Sequence, residues 1–245
     1  MRFVLYNIRY GTGHSLRWPW SGYLGRSEDH AGVISRFLCD LKPDVVGLIE
    51  VDIGSYRMRR NNQCQVIADE LGFQHTWRIK YGEAAWSLRI PVLNKQANAL
   101  LARDAAVSEK FHYFEQGHKR LVIDVELPKV RCLLVHLALK FRTRHEQLAD
   151  LYEVVRSSDR PCVVAGDFNS FLGTRELRLF LKASGLCSAN RQHVSTYPSW
   201  RPRVELDYVL HTPHLRLTGF SVPQIPLSDH LPLVCDFEPQ EAGSA

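Results

Sequence analysis

The chain has 245 residues, of which 45% are hydrophobic and 23% are charged, and its formal net charge at pH 7 is +5. This composition is typical of one large globular α/β domain, and a chain of this length folds without a disulfide framework or a structural metal. The small excess of 31 basic over 26 acidic residues suits a phosphate-bearing partner, but it is equally typical of an ordinary protein surface.

The cysteines and the N-terminus indicate a reducing compartment. The six cysteines are scattered, form no C-x-x-C pair and mostly lie in apolar runs, which is typical of reduced core residues. The first residues, MRFVLYNIRYG, reach a polar side chain by Asn7 and offer no apolar region of a signal peptide. No apolar run approaches the ~18 residues of a membrane span. We therefore expect a soluble, cytoplasmic protein without a transmembrane segment.

Short apolar runs rich in Val, Ile and Leu predict strands. In chain order they are RFVLYNI, VVGLIEV, ANALLAR, RLVIDVEL, RCLLVHL, CVVAGDF, VELDYVL and LPLVCDF. Helical periodicity between some of these runs predicts four helices. They are expected over Ser27 to Leu41 with Ser27 as the cap, over Asn62 to Leu71, from a capping box of Thr143 and Glu146 onward, and over Thr174 to Lys182 before Gly185.

The order of these elements predicts an α/β (α+β) fold with two mixed β-sheets packed face to face and helices outside. RLVIDVEL and RCLLVHL are separated by a short Pro-Lys connection, which indicates an antiparallel hairpin and excludes a simple doubly wound parallel sheet. No repeat or linker divides the chain, so we expect a single domain over 1–238. The polar segment 239–245 is expected to be a frayed tail.

Polar side chains follow one predicted strand after another at the point where the strand ends. If these strand ends meet at one rim of the two sheets, they form a polar cluster over an apolar base. Each residue alone also has a structural interpretation, as a turn or cap residue or, for the first histidine, as a hydrogen-bonded core histidine. The hypothesis of a site depends on their coincidence. The residues are Asn7, Glu50, His136, Asp167, Asn169, Asp207, Asp229 and His230.

Hard oxygen donors, the lack of a cysteine pair and the lack of clustered histidines favour Mg²⁺ or Mn²⁺ over Zn²⁺. A phosphoryl centre needs a cation to neutralise charge, an oriented water and fixed donors for the transition state. Glu50, Asp167, Asn169 and His230 can supply these parts. The sequence therefore favours metal-dependent phosphoryl chemistry.

The ordered motifs NIRYG, GLIEVD, VHLALKFRTRHEQL, GDFNS, LDYVL and SDHLPLV resemble the endonuclease/exonuclease/phosphatase superfamily over nearly the whole chain. This superfamily contains exonuclease III-like and DNase I-like nucleases, neutral sphingomyelinases and inositol polyphosphate 5-phosphatases. The resemblance implies a four-layer α/β/β/α sandwich. It also implies that Glu50 is the main Mg²⁺ ligand, supported by Asn7 and Asp229, that Asp167 orients or deprotonates the attacking water, and that Asn169 donates to a phosphoryl oxygen.

The resemblance further implies that His230 contacts the scissile phosphate and is oriented by Asp207, and that His136 is a second phosphate contact. Asn98 in KQANALLAR matches a substrate-binding asparagine of the family. Where many relatives have Thr before the histidine and Gly before the asparagine, this chain has Val and Ala before His136 and Asn98. These departures concern the local geometry of those two positions and remove no metal ligand.

We therefore expect a Mg²⁺-dependent phosphoester hydrolase, of phosphodiesterase or nuclease type, that uses in-line attack of an activated water. One alternative is a lipid-directed phosphodiesterase or phosphatase of sphingomyelinase or phosphoinositide type. Another is a non-catalytic module that binds nucleic acid or protein. The substrate is expected to be a phosphoester, with nucleic acid as one candidate, and no obligate protein partner is evident. Aromatic loops over 11–26 and 80–96 either contact bases or lipid, or pack as surface loops.

Overall fold

Two six-stranded sheets form the centre of the fold in the computed structural model, which describes residues 1–13, 30–81 and 89–240. The strands are β1 (Arg2–Asn7), β2 (Val45–Asp52), β3 (Gln74–Ile79), β4 (Gln96–Ala102), β5 (Ser108–Tyr113), β6 (Leu121–Glu126), β7 (Arg131–His136), β8 (Cys162–Asp167), β9 (Cys187–Ser188), β10 (Asp207–His211), β11 (Leu215–Ser221) and β12 (Leu233–Pro239). The first sheet has the order β11-β12-β1-β2-β4-β3, and the second has the order β5-β6-β7-β8-β10-β9.

Both sheets are mixed, as the sequence predicts. The pairs β1–β2 and β7–β8 are parallel, whereas β1–β12 and β8–β10 are antiparallel. Strands β6 and β7 form the predicted antiparallel hairpin. Each sheet therefore has a central parallel pair whose carboxyl ends meet at one edge.

Helices cover the outer face of each sheet. The described helices are α1 (Ala31–Leu41), α2 (Gln63–Leu71), α3 (Phe141–Arg156) and α4 (Thr174–Ser184). Alternate side chains of one strand point to opposite faces, so Phe3 and Leu5 of β1 lie in the core between the sheets, while Val4 and Tyr6 pack toward α1 and α2. A third core joins the second sheet to α3 and α4. This confirms the four-layer α/β/β/α architecture.

The ends of α2 and α4 have ordinary capping chemistry, and Asn62, predicted as the first residue of its helix, is the cap before Gln63. The Asn62 side chain accepts a hydrogen bond from Gln65 N at 3.4 Å. Gly72 and Gly185, which end α2 and α4, both adopt the left-handed conformation, which glycine reaches without strain. The predicted cap of α1, Ser27, lies outside the described residues, and the described helix begins at Ala31.

The predicted capping box of α3 is wrong. The helix begins at Phe141, so Thr143 lies inside its first turn, and the Glu146 carboxylate accepts from Arg142 Nε at 3.3 Å. A long-range contact fixes this earlier start: Arg144 donates to the carbonyls of residues 138 and 139 and forms a buried ion pair with Glu176 of α4. A local sequence pattern carries no information about that contact.

The cysteines are free thiols, as predicted, and four of them are buried, but the prediction of a core position is wrong for exposed Cys187 and half-buried Cys39. The predicted tail begins at Pro239, which is the last residue of β12. The next residue, Gln240, is also held, since its N donates to His214 O at 2.9 Å. Residues 241–245 lie outside the described residues. None of the described helices is long and apolar enough to cross a membrane.

Gly166 lies where β8 runs beside its parallel neighbour β7 with no space for a side chain. A Cβ at this position would overlap the carbonyl oxygen of Val135 and lie 2.8 Å from its carbonyl carbon. We expect Gly166→Ala to lower the free energy of unfolding by about 3 kcal/mol or more, because backbone rather than a flexible side chain must move. Urea unfolding followed by circular dichroism measures this change.

Gly32→Ala is the matched control. Gly32 lies in α1, and a Cβ there has nothing within 4 Å, so the substitution is expected to raise stability by roughly 0.4–1 kcal/mol. An unchanged unfolding midpoint for Gly166→Ala would contradict the close approach of the two strands.

Candidate active site

Strand ends of both sheets converge on the carboxylate of Asp167. Asp167 ends β8, and its direct strand partners are His136 at the end of β7 and Asp207 at the start of β10. From the other sheet, Asn7 at the end of β1 donates through Nδ2 to Asp167 Oδ2 at 3.2 Å. The site therefore lies at one end of the sandwich and bridges the two sheets.

The two oxygens of Asp167 have different surroundings. Oδ1 accepts a hydrogen bond from the backbone of Asn169 at 3.0 Å, so the turn interpretation of this segment is correct for its backbone. Oδ2 lies 3.3 Å from His136 Nε2 and 4.0 Å from His230 Nε2. One oxygen thus fixes the loop after β8, while the other faces the polar cluster.

Asp167 is held as a carboxylate although it is buried. Burial raises the pKa of Asp167, but the neighbouring His136, through charge and a hydrogen bond, together with the charges of His230 and Lys119, holds its pKa below the usual range. Ionised aspartate is the form that accepts a proton. The site therefore keeps a base available at neutral pH.

Asn169 is placed by an unusual backbone conformation. Its φ is +50°, in the left-handed region that asparagine tolerates better than most residues. Its Nδ2 donates to Leu137 O at 2.9 Å, which ties the loop after β8 to the loop after β7. The second amide hydrogen of Asn169 remains for another acceptor.

Glu50 is presented to the site by an irregularity in β2. The β2–β4 register shifts between Leu48 and Val51, and Glu50 has a φ of +59°. Asn98 in β4 supports this conformation, because its Oδ1 accepts from Glu50 N at 3.2 Å, while its Nδ2 is buried without a partner among the described residues. Asn98 therefore positions Glu50, and its predicted contact with substrate stays a prediction.

Two lysines that the sequence interpretation missed surround Glu50. Lys80 Nζ lies 3.7 Å from Glu50 Oε1. Burial raises the pKa of Glu50, but the charges of Lys80 and Lys119, together with His136, outweigh burial and lower it to about 2. Lys80 directly follows β3, a strand that the apolar runs do not predict, so the strand-end signal did not select it. Lys119 lies just before β6 and has no such signal.

His230 and Asp207 form a buried hydrogen-bonded pair. His230 Nδ1 lies 2.8 Å from Asp207 Oδ2, which also accepts from Thr196 Oγ1 at 2.6 Å. Burial lowers the pKa of His230, but the charge and hydrogen bond of Asp207 outweigh burial and raise the pKa to about 10. His230 is therefore an imidazolium at neutral pH, with Nε2 facing Asp167.

His136 has the opposite character. It is 2% exposed, its Nε2 contacts the Lys119 ammonium, and burial with the charge of Lys119 lowers its pKa to about 4, against the opposing effect of Asp167. The imidazole is therefore neutral at pH 7. Its Nδ1 is buried without a partner among the described residues, and Nε2 is the ring nitrogen that faces Asp167 and Lys119.

Asp229 lies at the mouth of the site beside Arg9, another residue that sequence reasoning did not single out. Arg9 Nε is 3.4 Å from Asp229 Oδ2, and Ser228 Oγ donates to Asp229 Oδ1 at 3.2 Å. Burial raises the pKa of Asp229 and the charge of Glu50 raises it further, while His230 and Arg9 lower it. Glu50 and Asp229 thus repel each other across the site.

The repulsion between Glu50 and Asp229 indicates that a divalent cation fits between them. A cation near Glu50 and Asp229 would relieve it, and carboxylates with an amide oxygen such as that of Asn7 are the donors that Mg²⁺ prefers. A second grouping, Asp167, Asp207 and His230, has ligand atoms within 4.8 Å of one another. In that grouping His230 Nδ1 is already bound to Asp207, and a nitrogen ligand suits Mg²⁺ less well. The oxygen donors of Glu50, Asp229 and Asn7 suit the ion better by their chemistry, with Asn7 Oδ1 also accepting from Arg9 N at 3.1 Å.

Of the aromatic loops over 11–26 and 80–96, residues 14–26 and 82–88 lie outside the described residues. Trp200 is described and is 44% exposed. It lies in the segment before Asp207, which also contains Thr196, the residue whose hydroxyl donates to Asp207.

Residues 5–230 match the model of the Endonuclease/Exonuclease/phosphatase family. The search of curated proteins found no match. Among solved structures, an endonuclease/exonuclease/phosphatase from Beutenbergia cavernae is 21% identical with a TM-score of 0.73, and the alignment covers 100% of this chain and 72% of that chain.

Two phosphatase structures are also similar in fold. The mannosyl-6-phosphatase of Bacteroides thetaiotaomicron is 13% identical with a TM-score of 0.71, over 97% of this chain and 99% of that chain. A 3′ phosphatase from Neisseria bound to a product DNA hairpin is 17% identical with a TM-score of 0.67, over 97% and 99% of the two chains. At these identities the likeness concerns the fold alone.

Proposed function

Since the chain belongs to the endonuclease/exonuclease/phosphatase family, we propose that it is a Mg²⁺-dependent phosphoester hydrolase that uses in-line attack of an activated water. The observation that carries this proposal is the position of Asp167. Its ionised Oδ2 lies 3.3 Å from Nε2 of neutral His136 and 4.0 Å from Nε2 of protonated His230. A base, Asp167, therefore lies beside a proton donor, His230. Such pairs of groups with divergent pKa values are typical of acid and base roles in one site.

Glu50, Asn7 and Asp229 would hold the metal ion, with Mn²⁺ as a substitute. When bound, the ion neutralises charge on the phosphoryl oxygens. Against the effect of burial, the charges of Lys80 and Lys119 lower the pKa of Glu50 to about 2, so the principal ligand is ionised at neutral pH. Asn98 holds the backbone of Glu50 in its irregular conformation.

Asp167 orients the attacking water in line with the phosphorus and accepts its proton at Oδ2 as the water oxygen bonds to phosphorus. The P–O bond to the ester oxygen breaks on the opposite side, and the leaving alkoxide or phenolate takes up a proton from solvent. His230 donates through Nε2 to a phosphoryl oxygen, and Asp207 fixes the orientation of the imidazolium through Nδ1. Asn169 and His136 offer further contacts to phosphoryl oxygens through the Asn169 amide and the His136 ring. Fixed donors of this kind stabilise developing charge without reorganisation during the reaction.

The similar structures support hydrolysis of phosphoesters on this fold. One is named a mannosyl-6-phosphatase and another a 3′ phosphatase bound to product DNA, so both a sugar phosphate and a nucleic acid are candidate substrates. A Mg²⁺-dependent panel tests the proposal: an aryl phosphomonoester, an aryl phosphodiester, single- and double-stranded DNA, abasic DNA, RNA, sphingomyelin and phosphoinositides. Hydrolysis of none of them, with folded protein, would favour the non-catalytic binding module.

Glu50→Gln is expected to weaken Mg²⁺ binding by at least about 10-fold, because the substitution removes the charge of the principal ligand. Titration calorimetry with MgCl₂ measures the affinity without depending on any substrate. Glu153→Gln is the control, since Glu153 is a largely exposed residue of α3 and its substitution should leave the titration unchanged. Equal Mg²⁺ affinity in the wild type and Glu50→Gln would contradict the assignment of Glu50.

A further inference from the structure

Lys80 and Lys119 approach the site from different sheets. The proposed function gives neither lysine a contact with the substrate. Lys80 follows β3 of the first sheet and is 3% exposed, with Nζ 3.7 Å from Glu50 Oε1. Lys119 precedes β6 of the second sheet, and its Nζ contacts His136 Nε2. The two ammonium groups therefore flank the carboxylate and the imidazole at the centre of the site.

Backbone contacts join the two lysine loops. Lys80 O accepts from Arg120 N at 3.3 Å, and Lys80 N donates to Gln96 O at 3.1 Å. Lys119 O accepts from the Gln147 side chain at 2.7 Å. Because both backbones are fixed, the ammonium groups belong to a built part of the site rather than to loose surface side chains.

Burying an ammonium group is costly unless a negative group compensates it. The compensating group of Lys80 is Glu50, which the proposed function assigns to a metal ion, and Lys119 contacts an imidazole nitrogen rather than a carboxylate. Once a divalent cation shares Glu50, the two lysines supply positive charge that the protein itself balances only in part. An anionic substrate can complete that balance.

The charge and the enclosure favour one class of substrate. A phosphomonoester carries a charge of about −1.5 to −2 at pH 7 and three terminal oxygens, whereas each phosphodiester carries a single negative charge. The Lys80 ammonium lies 4.9 Å from the ring centroid of Tyr10 and 5.4 Å from that of Tyr81. Lys80 Nζ also donates to the Tyr10 hydroxyl, so the ammonium group is held in an enclosed position beside Glu50.

We propose that Lys80 and Lys119 bind terminal phosphate oxygens and make the site selective for phosphomonoesters over phosphodiesters. This inference rests on the proposed function and departs from the phosphodiester that the sequence predicts. Lysine binds phosphate as a point charge, so the preference is expected to follow the charge of these side chains.

The test compares an aryl phosphomonoester with an aryl phosphodiester in Mg²⁺, for the wild type, Lys80→Met and Lys119→Met. The wild type is expected to prefer the monoester. Each substitution should lower kcat/KM for the monoester by roughly 10- to 100-fold, the scale of one lost charge-assisted hydrogen bond, mainly through KM. The diester rate should fall by a clearly smaller factor, because the effect of the lost charge on Glu50 is common to both esters. Lys119→Arg should retain most of the preference, because it keeps the charge.

Lys129→Met is the matched control, since Lys129 is exposed in the turn between β6 and β7 and should affect neither ester. Binding of inorganic phosphate, measured by calorimetry in Mg²⁺, gives a second readout and should weaken by the same factor in both methionine variants. If circular dichroism shows that the Lys80→Met variant is unfolded, the test uses Lys119→Met, because Lys119 is only half-buried.

The outcomes separate the two proposals. If neither ester nor any member of the substrate panel is hydrolysed, the proposed function fails, while phosphate calorimetry still supports or refutes the lysine site. If the wild type hydrolyses the diester faster, or if the variants lower both ester activities equally, the lysine selectivity is overturned although the hydrolase proposal stands.

Discussion

Asp167→Asn is expected to lower kcat by roughly 10²–10⁴-fold, the range for loss of a positioned general base, and to leave the protein folded. Asparagine has the same size, so its side-chain oxygen can still accept from Asn169 N, the contact that shapes the loop after β8. The amide cannot accept the proton of the attacking water. The loss should therefore appear in kcat at saturating substrate, measured with the fastest substrate of the panel.

Asp104→Asn is the control for this experiment, because Asp104 is exposed beyond the end of β4 and outside the site. Its kcat should equal that of the wild type. Near-normal turnover of a folded Asp167→Asn protein would exclude Asp167 as the base. Unchanged Mg²⁺ affinity in the same variant would show that the defect lies in the chemistry rather than in the metal site.

The sequence predicts the convergence of residues that end neighbouring parallel strands. His136 and Asp167 meet because β7 and β8 are parallel and adjacent, and carboxyl ends of parallel strands lie at one edge. Asp207 joins them because β10 runs antiparallel to β8, so that its start faces the end of β8. These relations follow from strand direction, and strand direction follows from loop length and composition.

Contacts between the two sheets cannot be predicted in the same way. Asn7 reaches Asp167 only because the sheets pack face to face in one relative position, which apolar patterning does not specify. Lys119 lies in a loop whose sequence, EQGHKR, is typical of a polar surface turn. It lies at the site because Gln147 of α3 binds its carbonyl oxygen.

The direction in which Glu50 points also depends on contacts with another strand. The run VVGLIEVD predicts an uninterrupted strand, and an uninterrupted strand would fix the direction of Glu50 by simple alternation. The shifted register beside β4 and the φ of +59° change that direction. A bulge of this kind re-aims a side chain at an active site, and the partner that stabilises it, Asn98, lies on another strand.

Asp207→Asn is expected to lower kcat/KM by roughly 10²–10⁴-fold at neutral pH, the scale seen when the carboxylate that orients a catalytic histidine is neutralised. The charge and hydrogen bond of Asp207 outweigh burial and raise the pKa of His230 to about 10. Burial lowers the pKa of Lys80 to about 8, so wild-type activity should first fall near pH 8, and its alkaline limb near pH 10 marks the loss of the His230 proton. In the variant this alkaline limb should move to lower pH, which a pH profile of kcat/KM measures.

The same pair makes a prediction for stability. Because the pKa of folded His230 is raised above its ordinary value of 6.5, its contribution to stability is complete below pH 6.5 and is lost as the pH rises through about 10. The difference in unfolding free energy between the wild type and Asp207→Asn should shrink over that interval. Urea unfolding at a series of pH values measures it.

Asp124→Asn provides a matched control on the second sheet. Asp124 is a buried carboxylate that lies 2.9 Å from His112 and pairs with Arg131, so its loss should reduce stability without moving the alkaline limb of activity. If Asp207→Asn reduces stability but likewise leaves the alkaline limb in place, the proton of His230 takes no part in the reaction. The Asp207–His230 pair would then be a structural ion pair, because a group that contacts the phosphate must transmit its titration to kcat/KM.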